Sequence, residues 1–514
     1  MTSESIDITT HHDLPRLARW TGFIALCVGM FMAILDIQVV VTSLKTIEEA
    51  LGIGADRMSW VQTSYLIAEV VAIPLIGLLM RVFAMRRLFV FTIALFTFAS
   101  IGCALSQGFW DLMAWRVLQG FAGGVLIPLV FSAIFLLFPK GIEQTLATTV
   151  GGFLAVLAPT LGPVVGGWIT EHYSWHWLFL INLAPGIAAL FAGKFCLPNG
   201  RLQTTLLARL DWLSLLAFGV SLGVFIIGLK EAPSLGWASP YVLGCFVASA
   251  SCLWVSVKRP QPAIMYHLLA DRALAFGCAL SFLLGFVLFS SVYILPVFFA
   301  FVRGHGPLAI GLITIVMGAT QIAAAPVSVI LDRYFDARAL TAAGFIAFAV
   351  GLAMNANLTV EADHAEVFWA QIVRGASVAL CILPPIRMAL SLQPIAVVSD
   401  ASGLFNVLRN IGGVIGIAVM DTLMFSRGPT HADTIMDLLD GAPAEAAAIL
   451  NLTQDSLPAP DDAMSMIGIM DLIQNASLTM AINDCWWVLA AVSALSIPLL
   501  WWLGPVASAR TIKR

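Results

Sequence analysis

Long apolar runs separated by short polar stretches fill nearly the whole chain. Runs of about 18–25 apolar residues are long enough to cross a bilayer as helices. Fourteen can be read, at 20–44, 58–80, 88–106, 112–136, 146–169, 177–197, 211–230, 240–257, 273–301, 308–331, 340–357, 367–389, 403–424 and 484–506. The hydrocarbon core offers no partner for free peptide groups, so these spans are predicted to be helical. An even number of crossings puts both termini on one side. Connections on that side carry Arg81, Arg86, Arg87, Lys140, Arg201, Arg209, Lys258, Arg259, Arg272, Arg333 and Arg338, and the tail adds Arg510, Lys513 and Arg514. Connections on the other side are poor in Lys and Arg, which predicts cytoplasmic termini. The segment 425–483 then faces outward, where Arg427 stands against Asp433, Asp437, Asp440, Glu445, Asp455, Asp461, Asp462 and Asp471. Its stretch 464–482 is predicted to lie along the membrane surface, with Asp484 capping the last span.

The fifth run differs from the others. Read as a helix, residues 151–168 place Gly151, Ala155, Pro159, Pro163 and Gly167 in one row at i+4 spacing, with Ala158, Gly162 and Gly166 beside it. Small side chains let a neighbouring backbone approach closely, and in lipid that packing drives helix association. Two prolines remove backbone donors and predict a bend. The stretch reads as a smooth, bent helix pressed against a partner.

Composition narrows the class. Of 514 residues 60% are hydrophobic and 11% charged, with mean hydropathy +0.93, against roughly a quarter charged in soluble domains. This is the composition of a polytopic membrane protein. The net charge of -4 is spread over connections and forms no basic patch of the kind nucleic acids need. The polar N-terminus shows no cleavable signal pattern, so the first span is expected to remain. Cys27, Cys103, Cys196, Cys245, Cys252, Cys278, Cys381 and Cys485 lie in or beside apolar runs, form no metal-ligand spacing and read as small hydrophobes. No phosphate-binding loop points to ATP as energy source. No metal cluster, nucleophile triad or cofactor loop suggests an enzyme, and no cofactor is expected.

A weak internal repeat is present. The fourth span contains Arg116-Val-Leu-Gln119-Gly120 and the twelfth Gln371-Ile-Val-Arg374-Gly375. Gly77, Arg81, Arg86 and Arg87 follow the second span as Asp332, Arg333 and Arg338 follow the tenth. Six spans, two inserted ones and six more is the simplest parsing, and internal repeats around a central site typify secondary transporters. The boundaries expected are 1–19 for a cytoplasmic segment, 20–197 for the first bundle and 198–272 for the insertion with its flanking loops. The second bundle, 273–506, includes the external segment, and 507–514 is the tail.

Motifs in a fixed order sharpen this picture. Leu35-Asp36-Ile37-Gln38-Val39-Val40-Val41 lies in the first span, and Trp60-Val61-Gln62-Thr63-Ser64-Tyr65 in the second. Gly162-Pro163-Val-Val-Gly166-Gly167-Trp168 lies in the fifth, then Trp175-His176-Trp177, Asn182 and Asp211-Trp212. Ala401-Ser402-Gly403-Leu404-Phe405-Asn406 and Arg409-Asn410 with Gly412-Gly413 close the series. Together they resemble the major facilitator superfamily, within it the fourteen-span drug:proton antiporters, over nearly the whole chain. In that family the fifth-span motif marks antiporters. The chain departs from the pattern after the second span, where Arg81 holds the acidic position and Ala84 the last glycine of Gly-x-x-x-Asp-Arg-x-Gly. The copy after the tenth span keeps Asp332-Arg333 but has Ser328 for its glycine.

Ionisable groups in the spans are the candidates for chemistry. Each costs at least about 2.5–3.5 kcal/mol at a bilayer centre, so each is expected to face protein or water. Glu69, near the middle of the second span, has no Lys or Arg one helical turn away and reads as a proton carrier or as a counter-charge for a cationic substrate. The resemblance implies a role in proton coupling or substrate binding for Asp36. Arg116 lies at similar depth, and pairing that breaks and reforms would couple conformation to proton uptake. Arg374, Arg409 and Asp421 are further intramembrane charges. An apolar drug cavity is expected to be lined by aromatics, with Tyr65, Phe286, Tyr293 and Phe405 as candidates. Gly162, Pro163, Gly166, Gly167, Gly77, Asp332 and Arg333 are expected to serve packing and conformational change.

The reading is proton-driven efflux of hydrophobic or amphipathic compounds across a bacterial inner membrane by alternating access. The resemblance further implies a periplasmic adaptor of the membrane-fusion type and an outer-membrane channel, with 425–483 as a contact candidate. The alternatives are a stand-alone exporter and a non-transporting receptor or scaffold.

Overall fold

The computed structural model describes residues 15–54, 57–139, 141–200, 202–203, 211–259, 266–390, 398–453, 457 and 463–501. Among them, α-helices follow one another as α1 Arg16–Val41, α2 Leu44–Leu51, α3 Trp60–Ala72, α4 Ile76–Leu105, α5 Phe109–Leu137, α6 Ile142–His172, α7 Trp177–Leu180 and α8 Leu183–Cys196. The chain continues as α9 Trp212–Leu235, α10 Pro240–Lys258, α11 Arg272–Val297, α12 Pro307–Tyr334, α13 Ala337–Ala353, α14 His364–Leu390, α15 Val398–Gly441, α16 Pro443–Leu450 and α17 Ala463–Trp501. Twelve helices among the described residues are long and apolar enough to cross a membrane. Two shorter apolar ones, Trp60–Leu75 and Ala337–Ala353, fall on the expected second and eleventh spans.

Local sequence explains where these helices break. Pro74 lies in the short 3-10 turn Ile73–Leu75 that joins α3 to α4, because proline cannot donate to the preceding turn. Ala84 interrupts α4 with φ 59° and ψ 162°. This is the place where the family pattern carries glycine, the residue that tolerates such a backbone without a Cβ penalty. Pro296 near the end of α11 is followed by a π-helical turn, Phe298–Val302.

The repeat is visible in the packing. Gly120 of α5 lies against the backbone of Tyr65 in α3, and Gly375 of α14 against the backbone of Met317 in α12. Each Gly is where a Cβ would collide, so both helix pairs approach through a bare backbone. The hairpin α9–α10 is stitched by serines. Ser221 and Ser249 each donate to the other's carbonyl at 2.8 Å, and Ser214 donates to Ser256 O at 3.1 Å.

The halves meet mainly along α6 and α12. Gly167 packs on the backbone of Pro307, Gly311 on that of Pro163, and Gly318 on Thr160. Gly162 and Gly166 face instead into their own half, against Gln38 and Val39 of α1. The small-residue helix thus serves two partners, one on each side.

The segment 425–483 differs from expectation. α15 runs 44 residues, about 66 Å at 1.5 Å per residue, and so exceeds a hydrocarbon core of roughly 30 Å. The stretch 464–482 is not a separate surface helix. It is continuous with the last span in α17. Ile435, Leu439, Ala446, Leu450, Ile469, Ile473 and Ala476 form a small apolar core where α15, α16 and α17 extend together. Asp484 is not a cap either. It sits inside α17 and accepts Arg427 Nε and His431 Nε2, each at 2.8 Å.

Candidate functional site

Asp36 of α1 is buried, and its carboxylate is surrounded by donors. Arg116 Nη1 binds Oδ2, while Gln119 Nε2 and Asn182 Nδ2 donate to Oδ1 at 2.8 and 2.9 Å. Helical i,i+3 spacing puts Arg116 and Gln119 on one face, and Arg116 Nη1 also donates to Gln119 Oε1 at 2.7 Å. Arg116 Nε reaches Val61 O at 2.9 Å, and Gln119 Nε2 reaches Ser100 Oγ at 2.9 Å. The guanidinium lies 4.5 Å from the Tyr65 ring centre and 5.7 Å from that of Phe179. Both charges have 0% exposed side chains. Breaking such a pair on one side leaves a bare buried charge, which costs about 3–5 kcal/mol. The network ties α1, α3, α4 and α5 to the connection before α8.

Glu69 lies across the boundary between halves. Its Oε1 accepts Asn410 Nδ2 of α15 at 2.9 Å, and its Oε2 is buried with no hydrogen-bond partner among the described residues. The cation that acts on it electrostatically is Arg409, also of α15. No Lys or Arg lies within α3 itself.

Asp421 forms a third cluster. Lys230 of α9 pairs with Oδ2 at 2.9 Å, Ser59 Oγ donates to the same oxygen at 2.9 Å, and Tyr293 OH donates to Oδ1 at 2.6 Å. Lys230 also binds Ser59 Oγ and lies 5.1 Å from the centre of the Trp60 ring. Sequence reasoning missed Lys230. It ends an apolar run beside Glu231, as a snorkelling interface charge does, and no local spacing links it to Asp421.

Arg374 of α14 is buried and pairs with no carboxylate among the described residues. Its Nη1 donates to Gln371 Oε1 at 2.8 Å, and its guanidinium stacks 5.0 Å from Trp486. It repeats the Arg–Gln pair of α5 in reverse order.

The four aromatics expected to line one cavity have separate surroundings. Tyr65 supports Arg116 and donates to Ala33 O at 3.0 Å. Tyr293 belongs to the Asp421 cluster. Phe286 is half-buried, with its backbone against Gly416. Phe405 is buried among Val70, Ile73, Phe218 and Leu404. The surroundings of Gly77, Asp332 and Arg333 lie outside the described residues. No group of three His, Cys, Asp or Glu among the described residues is placed to hold a metal ion.

One end of the bundle is laced shut, the end expected to face outward. Lys45 Nζ of the first half donates to Ala300 O of the second at 2.9 Å, while Ser43 Oγ and Thr170 Oγ1 meet at 2.7 Å within the first half. Leu308 N donates to Glu171 Oε2 at 3.2 Å. Toward the other end, a Cβ added at Gly152 of α6 or Gly403 of α15 would meet no atom of another element within 4 Å among the described residues. Phe153 and Ile330 there are half-exposed.

Residues 26–417 match the sequence profile of the Major Facilitator Superfamily. The chain is 34% identical over 417 residues to the colistin resistance protein EmrB of Acinetobacter baumannii, covering 79% of this chain and 80% of that protein. It is 27% identical over 488 residues to the multidrug export protein EmrB of Escherichia coli, covering 94% of each. A D-xylose–proton symporter superposes with a TM-score of 0.61 at 13% identity, over 95% of this chain and 98% of that one.

Proposed function

The chain belongs to the major facilitator superfamily, and from that premise we propose that it is a proton-driven exporter of hydrophobic or amphipathic compounds. The relatives named for multidrug export and colistin resistance support the substrate class. It is a multi-span membrane transporter rather than an enzyme. The observation that carries the coupling is the Glu69–Asn410 bond between halves. An acid at that boundary changes the attraction between the halves when it gains or loses a proton. A ligand shifts a two-state equilibrium only through differential affinity for the two states, and this acid has that differential built in.

The chain divides into bundles 20–197 and 273–506 with the insertion 198–272 between them, makes fourteen crossings and keeps both ends in the cytoplasm of a bacterial cell. Contacts laced at the outward end and open space near Gly152 and Gly403 support an inward-facing arrangement. Substrate enters from the cytoplasm or inner leaflet beside Phe286 and Phe405. A proton from outside reaches Glu69 and the Asp36–Arg116 pair, and the halves rock along α6 and α12. Pro163 and Gly167 keep that contact smooth, Gly162 and Gly166 let α6 sit close on α1, and Gly77, Asp332 and Arg333 are proposed to serve conformational change on the cytoplasmic side. Arg374 steadies the second half, Arg409 faces Glu69, and Asp421 ties α15 to α3 and α9. The extension built from α15, α16 and α17 is the proposed contact for a periplasmic membrane-fusion adaptor leading to an outer-membrane channel.

A susceptibility panel in an efflux-deficient host, with and without a co-expressed adaptor, tests this. Tolerance that requires the adaptor supports the tripartite pump. Tolerance without it supports a stand-alone exporter, and no tolerance to any compound under either condition contradicts export.

A further inference from the structure

The cluster around Asp421 joins three separate parts of the chain. Ser59 and Trp60 come from the start of α3, Lys230 from the α9–α10 hairpin, and Tyr293 and Asp421 from the second half. Thr422 adds a bond to Leu229 O at 3.2 Å, holding α9 beside α15. The side chains of Lys230 and Asp421 are only 7% and 3% exposed.

The geometry points to an organic-cation site in which Lys230 is a tethered occupant. A carboxylate at 2.9 Å on one side and an indole face at 5.1 Å on another are what an ammonium group seeks. Tyr293 fixes Oδ1, while Oδ2 is shared by Lys230 and the Ser59 hydroxyl. A pair serving stability alone needs neither the aromatic face nor contributions from three bodies, since burying charge is a poor route to stability.

The site lies at the end that must open for release. Opening separates Ser59 and Trp60 from Asp421, and Lys230 goes with whichever body carries α9. Asp421 is then a buried carboxylate without its cation, and a substrate bearing a primary or quaternary ammonium takes the place of Lys230 on its way out. When the end closes, Lys230 returns and expels it. The hairpin that distinguishes fourteen spans from twelve thus supplies the displacing charge. This rests on the export reading above.

The test is tetraphenylphosphonium binding to the purified full chain by titration calorimetry. Lys230→Met vacates the box and is expected to tighten binding on the order of tenfold. Adding Asp421→Asn to it removes the gain, and Lys230→Arg, which keeps a tethered cation, binds as the unaltered chain does. Equal affinity in Lys230→Met and the unaltered chain overturns the proposal, as does a gain that survives Asp421→Asn or appears in Lys230→Arg. If Lys230→Met does not fold, Lys230→Gln replaces it with the same expectations. Export of the same cation by the unaltered chain is read in parallel. The susceptibility panel decides the export reading, while the binding comparison alone decides the tethered-cation site.

Discussion

Asn410 donates its side-chain amide to Glu69 Oε1 at 2.9 Å although 341 positions separate them. One residue belongs to α3 and the other to α15, so the bond spans the two halves. Glu69→Gln keeps the shape and removes the proton site. It is expected to abolish or narrow drug tolerance at unchanged protein level, measured on plates with quantitative immunoblotting. Full tolerance to every compound would refute the role.

The Asp36–Arg116 pair is expected to couple as a unit. Arg116→Ala leaves Asp36 buried without its cation, so stability should fall by about 3–5 kcal/mol and proton-linked export should stop. The double variant Asp36→Asn, Arg116→Gln removes both charges and is expected to regain most of the stability without export. Thermal unfolding in detergent and pH-driven uptake separate the two effects. Unchanged pH-driven transport in Arg116→Ala contradicts the assignment.

Two faces of α6 give different outcomes. Gly162 and Gly166 pack on α1 within one half, where a leucine overfills the contact at about 1–3 kcal/mol or more. Gly162→Leu and Gly166→Leu are therefore expected to lower the yield of folded protein together with tolerance. Gly167 packs on Pro307 across the halves, so Gly167→Ala should fold and yet export poorly. Size-exclusion profiles alongside susceptibility distinguish these. Tolerance retained in Gly166→Leu would end the close-approach argument.

Ala84 holds φ 59° where the family pattern has glycine. Strain of this kind is worth on the order of 1–3 kcal/mol. Ala84→Gly is expected to stabilise the chain by about 1 kcal/mol, seen as a raised unfolding temperature. A lower temperature would show that the strain lies elsewhere.

What can be read from the sequence follows from what each feature depends on. Spans depend on runs of apolar residues, and those runs set the positions of the helices. The second span comes out short because Gln62, Thr63, Ser64 and Glu69 dilute it and Pro74 breaks it. The small-residue row of α6 is legible because i+4 spacing is local. Lys230 against Asp421 and Arg409 against Glu69 are not, since each partner comes from a distant helix and no spacing rule links them. The stretch 464–482 reads as a surface helix because its polar residues suggest water on one side. In the structure those positions are extended helix with a core of its own, built on Ile435, Ile469 and Ile473.

Reconstituted proteoliposomes with an imposed pH gradient test the central claim most directly. The chain is expected to move a fluorescent amphipathic drug only while the gradient stands, with collapse of the gradient or Glu69→Gln stopping it. Drug movement indifferent to both the gradient and Glu69→Gln would contradict proton-coupled export through the boundary between α3 and α15.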